Sequence, residues 1–168
     1  SLLGAAEMVL KGCTAAYDLS AEFPMPTTEG LAAIGQAYAD VGMRAVLAPM
    51  VADISFFEAI PGLMDRLPAV LQKEVEAFRL APHEASVRQI RAALQDWKLA
   101  GKGVHLAVAP TIPHHCSREF LLECLKLSKD FATGLHSHVA ESKVQVIAGY
   151  KHYGTSLTTY LDSLGLVG

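Results

Sequence analysis

The sequence predicts an α/β chain of parallel βα units, on three observations. Short apolar runs at residues 13–17, 44–50 and 104–109, and a fourth strand-like run at 135–140, alternate with longer stretches whose apolar residues recur at helical spacing. The runs begin near 14, 44, 104 and 135, so intervals of 30, 60 and 31 residues each leave room for a crossover helix, and the middle one for an insertion. The chain is 51% hydrophobic and 18% charged over 168 residues, the composition of a polypeptide that buries a core. Strands alternating with helices imply right-handed crossovers and a parallel sheet with helices packed against it.

Each element has its own local cause. Leu2, Leu3, Ala6, Val9 and Leu10 share a helical stripe that Gly12 ends, and the run up to Asp18 follows as the first strand. Pro24 and Pro26 mark a loop. Thr28 suits the N-cap of a helix carrying Leu31, Ile34, Tyr38 and Val41, which Gly42 closes before the second strand, Arg44 to Met50. Residues 53–100 read as a helical insertion without a strand: Ile60, Leu63, Leu67 and Leu71, then Val87, Ile90, Leu94 and Trp97, form stripes interrupted by Pro61, Pro68 and Pro82. Gly101 and Gly103 bracket a turn into the third strand, Val104 to Ala109, which Pro110 and Pro113 end. Ser117 caps a helix bearing Phe120, Leu121, Cys124, Leu125 and Phe131. Leu135 to Ala140 is the fourth strand, and two short helices around Val146 and Leu161 complete the order.

Composition excludes several function classes. A chain of 168 residues forms one domain, and it contains neither an apolar stretch of about 18 residues that would span a bilayer nor a leader pattern. The expectation is a soluble, cytoplasmic protein with no membrane partner. A net charge of −3 with scattered Lys and Arg offers no footprint for a phosphate backbone, so nucleic acid is not an expected partner. Cys13, Cys116 and Cys124 lack Cys-x-x-Cys spacing and suit a reducing compartment. Four strands cannot close a barrel that takes about 250 residues; an open four-stranded sheet and half of a barrel both satisfy the pattern.

In parallel α/β folds, reactive side chains gather where strands end. Those ends carry Asp18, Asp53, Thr111 with His114 and His115, then His136, His138 and Glu141. In His136-Ser137-His138-Val139-Ala140-Glu141, strand alternation places the two histidines on one face, with Glu141 just past the strand. An inward imidazole suits zinc, and a carboxylate three residues on could shuttle protons for an activated water. Two hydrogen-bonded histidines without a metal would satisfy the same pattern. His114, His115 and Cys116 are consecutive and diverge, Cys124 belongs to the core, His83 reads as a surface-loop histidine and His152 as an exposed helix end. Gly101-Lys102-Gly103 precedes a strand and is a turn, not a dinucleotide loop.

The run Gly134 to Ser142, GLHSHVAES, preceded by VAPTIPHHCSREFL and followed by YGTSLTTYLDSLGLVG, resembles the middle of an amidohydrolase-superfamily protein, nearest the branch of triazine hydrolases and guanine and S-adenosylhomocysteine deaminases. Leu10 to Thr14 with Asp18 is similar to that branch's second strand, and Val41 to Ala45 to its third. The resemblance implies that residues 1–168 are strands two to five, about half, of a (β/α)8 barrel with a mononuclear zinc or iron. It implies that His138 is a metal ligand, Glu141 the catalytic proton shuttle, and Thr111 and His114 substrate contacts, Thr111 standing where several deaminases carry a histidine. The remaining ligands of that family fall outside these residues, so the piece by itself is expected to be inactive and not to hold the metal stably. Its open edges are expected to pair or swap with another copy. The activity implied is hydrolysis of a C–N bond in a small-molecule N-heterocycle, above all deamination. A non-catalytic α/β binding module, and an amidohydrolase that cleaves amides or lactams, are the alternatives.

Overall fold

All the strand pairs are parallel. The computed structural model describes residues 1–77 and 80–167; Gly168, the last residue of the run quoted above, and residues 78 and 79 of the 53–100 stretch lie outside these. Helix α1 (Leu2–Leu10) leads into β1 (Ala15–Asp18), and α2 (Thr28–Asp40) into β2 (Arg44–Leu47) and β3 (Met50–Val51). Then come α3 (Phe56–Ala59), α4 (Ala69–Ala77), α5 (His83–Gln95), β4 (Val104–Leu106) and β5 (Ala109–Pro110). Helices α6 (Arg118–Asp130), α7 (Lys143–Tyr153) and α8 (Leu157–Ser163) follow. β1, β2 and β4 pair in parallel in that order, and β3 pairs in parallel with β5. Among the described residues, 53–100 contain helices and 3-10 turns and no strand.

Several boundaries differ from the sequence pattern, each for a backbone reason. The second strand is two pieces, because Pro49 has no N–H to give the ladder. The third also divides, at Ala107 and Val108, and Pro110 is the last residue of β5, one position beyond the end the sequence pattern gives. Residues 135–140 form no strand. They meet the third strand through a single bridge, Leu135 with Val108, and through backbone bonds His136 N–H to Val108 O (2.8 Å) and His138 N–H to Thr111 O (2.9 Å). Ala140 then turns the chain away at φ 56°. The cap of α2 is Thr27, one residue before Thr28: its hydroxyl accepts from Gly30 N–H at 3.0 Å. His83 opens α5 instead of a loop, with only 26% of its side chain exposed. Of the stripe Ile60, Leu63, Leu67 and Leu71, the first three are half-buried and only Leu71 lies in α4, a helix that buries no residue, where it is 43% exposed.

Burial decides between open sheet and barrel arc. Ala45, Leu47, Val104 and Leu106 face Leu31 and Tyr38 of α2 and Ala93 of α5 in one apolar cluster. Val51 and Val108 join Ile90 of α5, Phe120, Leu121, Cys124 and Leu127 of α6, and Leu161 of α8 in a second. A fully buried residue of this kind contributes about 1.5–3 kcal/mol. The opposite face carries Tyr17, Val46 and His105 in register, and Tyr17 is 50% exposed. Helices therefore cover one face, and the strands run in sequential order, as in a singly wound barrel; a doubly wound sheet would reverse its order and carry helices on both faces. The Tyr17 and His136 rings lie 5.2 Å apart although two strands separate them. In a flat sheet, three steps of about 4.8 Å would keep them roughly 14 Å apart. The array is curved, and its concave side faces the barrel axis.

Candidate active site

The site builds from the carboxyl ends of the strands. Thr111 follows β5, and its N–H donates to Val51 O at 2.9 Å, which fixes it beside the end of β3. Its carbonyl accepts twice from His138: from the backbone N–H and from the ring Nδ1, both at 2.9 Å. A carbonyl only accepts, so Nδ1 carries the proton and Nε2 the lone pair. That is the tautomer of a metal-ligating histidine held by a backbone carbonyl. His136 lies edge-on to His138, ring centroids 5.3 Å apart at 82°, with Tyr17 against it. Burial, then the neighbouring His138, lowers the His136 pKa and favours its neutral form.

Glu141 sits on the turn made by Ala140. Its backbone N–H donates to Gln145 Oε1 (2.9 Å), and Gln145 Nε2 donates back to Glu141 Oε2 (3.1 Å). Gln145 is 7% exposed, so the clamp has a rigid base. Sequence reasoning missed Gln145. The signal was present: Ser142 caps α7 and Gln145 stands three residues on, the spacing of a capping box, but here the amide reaches Glu141 instead.

The other strand-end residues divide between chemistry and architecture. Asp18 accepts the Tyr38 hydroxyl at 2.8 Å, and burial together with that carboxylate pushes the phenol up to about 12. Asp53 accepts from Ser117 N–H (2.7 Å) and Oγ–H (2.6 Å) and so reinforces the cap of α6. Its role is structural, and Asp53→Ala is expected to cost about 2–3 kcal/mol in chemical denaturation; a loss under about 0.5 kcal/mol would leave the cap to Ser117 alone. His114 and His115 do not diverge as their adjacency suggested: their rings lie 4.9 Å apart, tilted by 59°, although they line different cavities. His115 lines a cleft of about 330 Å³ together with Thr111, and burial, then His114, lowers its pKa to about 4. His114 is 5% exposed and is not brought to Thr111: it lines a separate cavity of about 300 Å³ with His152 and Tyr153. Burial, then His152, lowers its pKa as well.

Among the described residues no three His, Cys, Asp or Glu side chains converge to hold a metal ion. His138 Nε2 offers one position, whereas zinc in enzymes takes about three protein ligands. The donor set within these residues is therefore incomplete.

A singly wound parallel arc with helices on its outer face is a partial (β/α)8 barrel. The model of the amidohydrolase family matches residues 1–168, and the chain belongs to that family. It is 27% identical over 167 residues to the 5-methylthioadenosine/S-adenosylhomocysteine deaminase of Thermoanaerobacter pseudethanolicus, covering 99% of this chain and 32% of the relative. It is also 27% identical over 163 residues to the 8-oxoguanine deaminase of Pseudomonas aeruginosa, covering 97% and 34%. The crystal structure of atrazine chlorohydrolase from Arthrobacter aurescens complexed with zinc superimposes with a TM-score of 0.77 at 18% identity, over 98% of this chain and 34% of that one. That likeness shows the fold. The chain thus spans about a third of the length of the relatives it matches. No helix among the described residues is long and apolar enough to cross a membrane.

Proposed function

We propose that these residues are strands two to five of a metal-dependent barrel that hydrolyses a C–N bond of a small N-heterocycle, releasing an amine from the ring. The observation that carries this reading is the pair of hydrogen bonds from His138 to the Thr111 carbonyl, which presents Nε2 at a strand end with Glu141 three residues on. The deaminase relatives support the choice of reaction. A bound zinc or iron would supply a water acidic enough to react at neutral pH. His138 Nε2 would hold the metal, with further ligands from outside residues 1–168. Glu141, fixed through Oε2 by Gln145, would take a proton from water and return it to the ring nitrogen or the leaving amine. Thr111 and His115, at the cleft wall, would meet the substrate; His114, in its separate cavity, would act on it only indirectly.

The incomplete donor set supports a second statement about the same residues. Alone they are inactive and retain no zinc, and the free edges of β1 and of residues 135–138 pair with another copy. The test is ammonia release from aminopurines and aminotriazines by the full-length protein, abolished by a chelator and restored by zinc. Metal-loaded protein that releases no ammonia would end the reading; ring opening without ammonia would move it to amide or lactam cleavage.

A further inference from the structure

We infer that the cleft between the loop after β1, the end of β3 and α3 receives an uncharged apolar substituent on the heterocyclic substrate and disfavours analogues bearing phosphate or carboxylate there. This rests on the reading that the ring itself is held beside His138. The cleft's walls are Phe23 and Met25 from the loop, Met50 of β3, Phe56 and Phe57 of α3, and Leu80. Phe56 and Phe57 meet edge to face with centroids 5.7 Å apart, and Phe56 comes within 6.1 Å of the His115 ring. Phe23 is 75% and Phe56 59% exposed, so the mouth presents aromatic surface where a ligand would cover it. Methionines among these rings allow the wall to adapt to substituent shape.

Charge decides the chemical class. Among the described residues, neither Lys nor Arg lines the cleft, and its one charged residue is Glu22. Both Glu22 oxygens are engaged within the loop: Oε2 accepts from Thr27 N–H (2.9 Å) and Oε1 from Thr27 Oγ1 (2.8 Å). His115 is held neutral by burial. An anion entering here would lose its hydration with no cation to replace it, whereas an alkyl or aryl group would lose only unfavourable contact with water. Thr111 joins the cleft to the reacting end, because it lines the wall while its carbonyl positions His138.

The experiment is equilibrium dialysis of the full-length protein with three unreactive analogues of one aminotriazine ring: unsubstituted, N-butyl and N-carboxymethyl. The butyl analogue is expected to bind at least about tenfold more tightly than the bare ring, and the carboxymethyl analogue more weakly than it. Phe56→Ala removes an exposed side chain and leaves the fold intact; it is expected to erase most of the butyl preference without changing affinity for the bare ring. Met25→Lys is expected to reverse the order of the butyl and carboxymethyl analogues. Equal binding of all three overturns the inference, as does a Phe56→Ala variant that weakens all three alike or none, the result if the protein's own residues fill the cleft. Dialysis reads binding without turnover. Ammonia release with no butyl preference would therefore sink this inference alone, and a Phe56-dependent preference without ammonia release from any ring would sink the functional reading alone.

Discussion

Glu141→Gln in the full-length protein is expected to keep its metal and its fold while turnover falls by roughly 10²- to 10⁴-fold, the usual contribution of a positioned proton carrier. The substitution isolates the proton. A glutamine side chain at 141 still offers an oxygen to Gln145 Nε2, and the backbone N–H still donates to Gln145 Oε1, so both halves of the clamp persist. What disappears is the capacity to accept a proton from water. Metal analysis, a thermal melt and steady-state rates separate the outcomes: metal bound, melting unchanged and rate lost is the expected set. A variant turning over at the parent rate would remove Glu141 from the chemistry.

His138→Ala is expected to lose both metal and turnover, with little loss of stability. The reason lies in which atoms hold the segment. Of the two bonds to the Thr111 carbonyl, the backbone one at 2.9 Å survives any side chain at 138, so the chain keeps its path and only the ring and its Nδ1 bond are removed. A hydrogen bond of that sort contributes about 1 kcal/mol net, too little to unfold a domain that keeps both apolar clusters. Metal content at the parent level in this variant would show that Nε2 is no ligand. The two variants together form a test: one separates metal from rate, the other does not.

The architecture was largely legible because its signals are local. Apolar runs, glycines past helix ends and Ser117 before α6 each act through bonds within a few residues. The curvature was not, because Tyr17 meets His136 only after β1 to β5 and the segment 135–138 are assembled, and no pattern along the chain encodes that meeting. Pro49 and Pro110 show the same limit from the other side: one stands between β2 and β3, and the other is the last residue of β5, in register with Val51 of β3. At the site, His138 and Glu141 stood out by spacing. The duty of Asp53 did not, since a carboxylate at a strand end reads as chemistry until its partner, Ser117, is seen 64 positions away. His115 and His114, whose rings touch, could be told apart only by the different cavities they line.

The pair of hydrogen bonds to Thr111 has an evolutionary consequence. It is the peptide oxygen of that residue, not its hydroxyl, that anchors the imidazole, while the rest of the same residue borders the cleft. On the function proposed above, replacing the threonine by another amino acid would alter what the site admits and leave the anchor in place. Preference for one ring over another could then drift at this position under selection without passing through variants that have forfeited the metal.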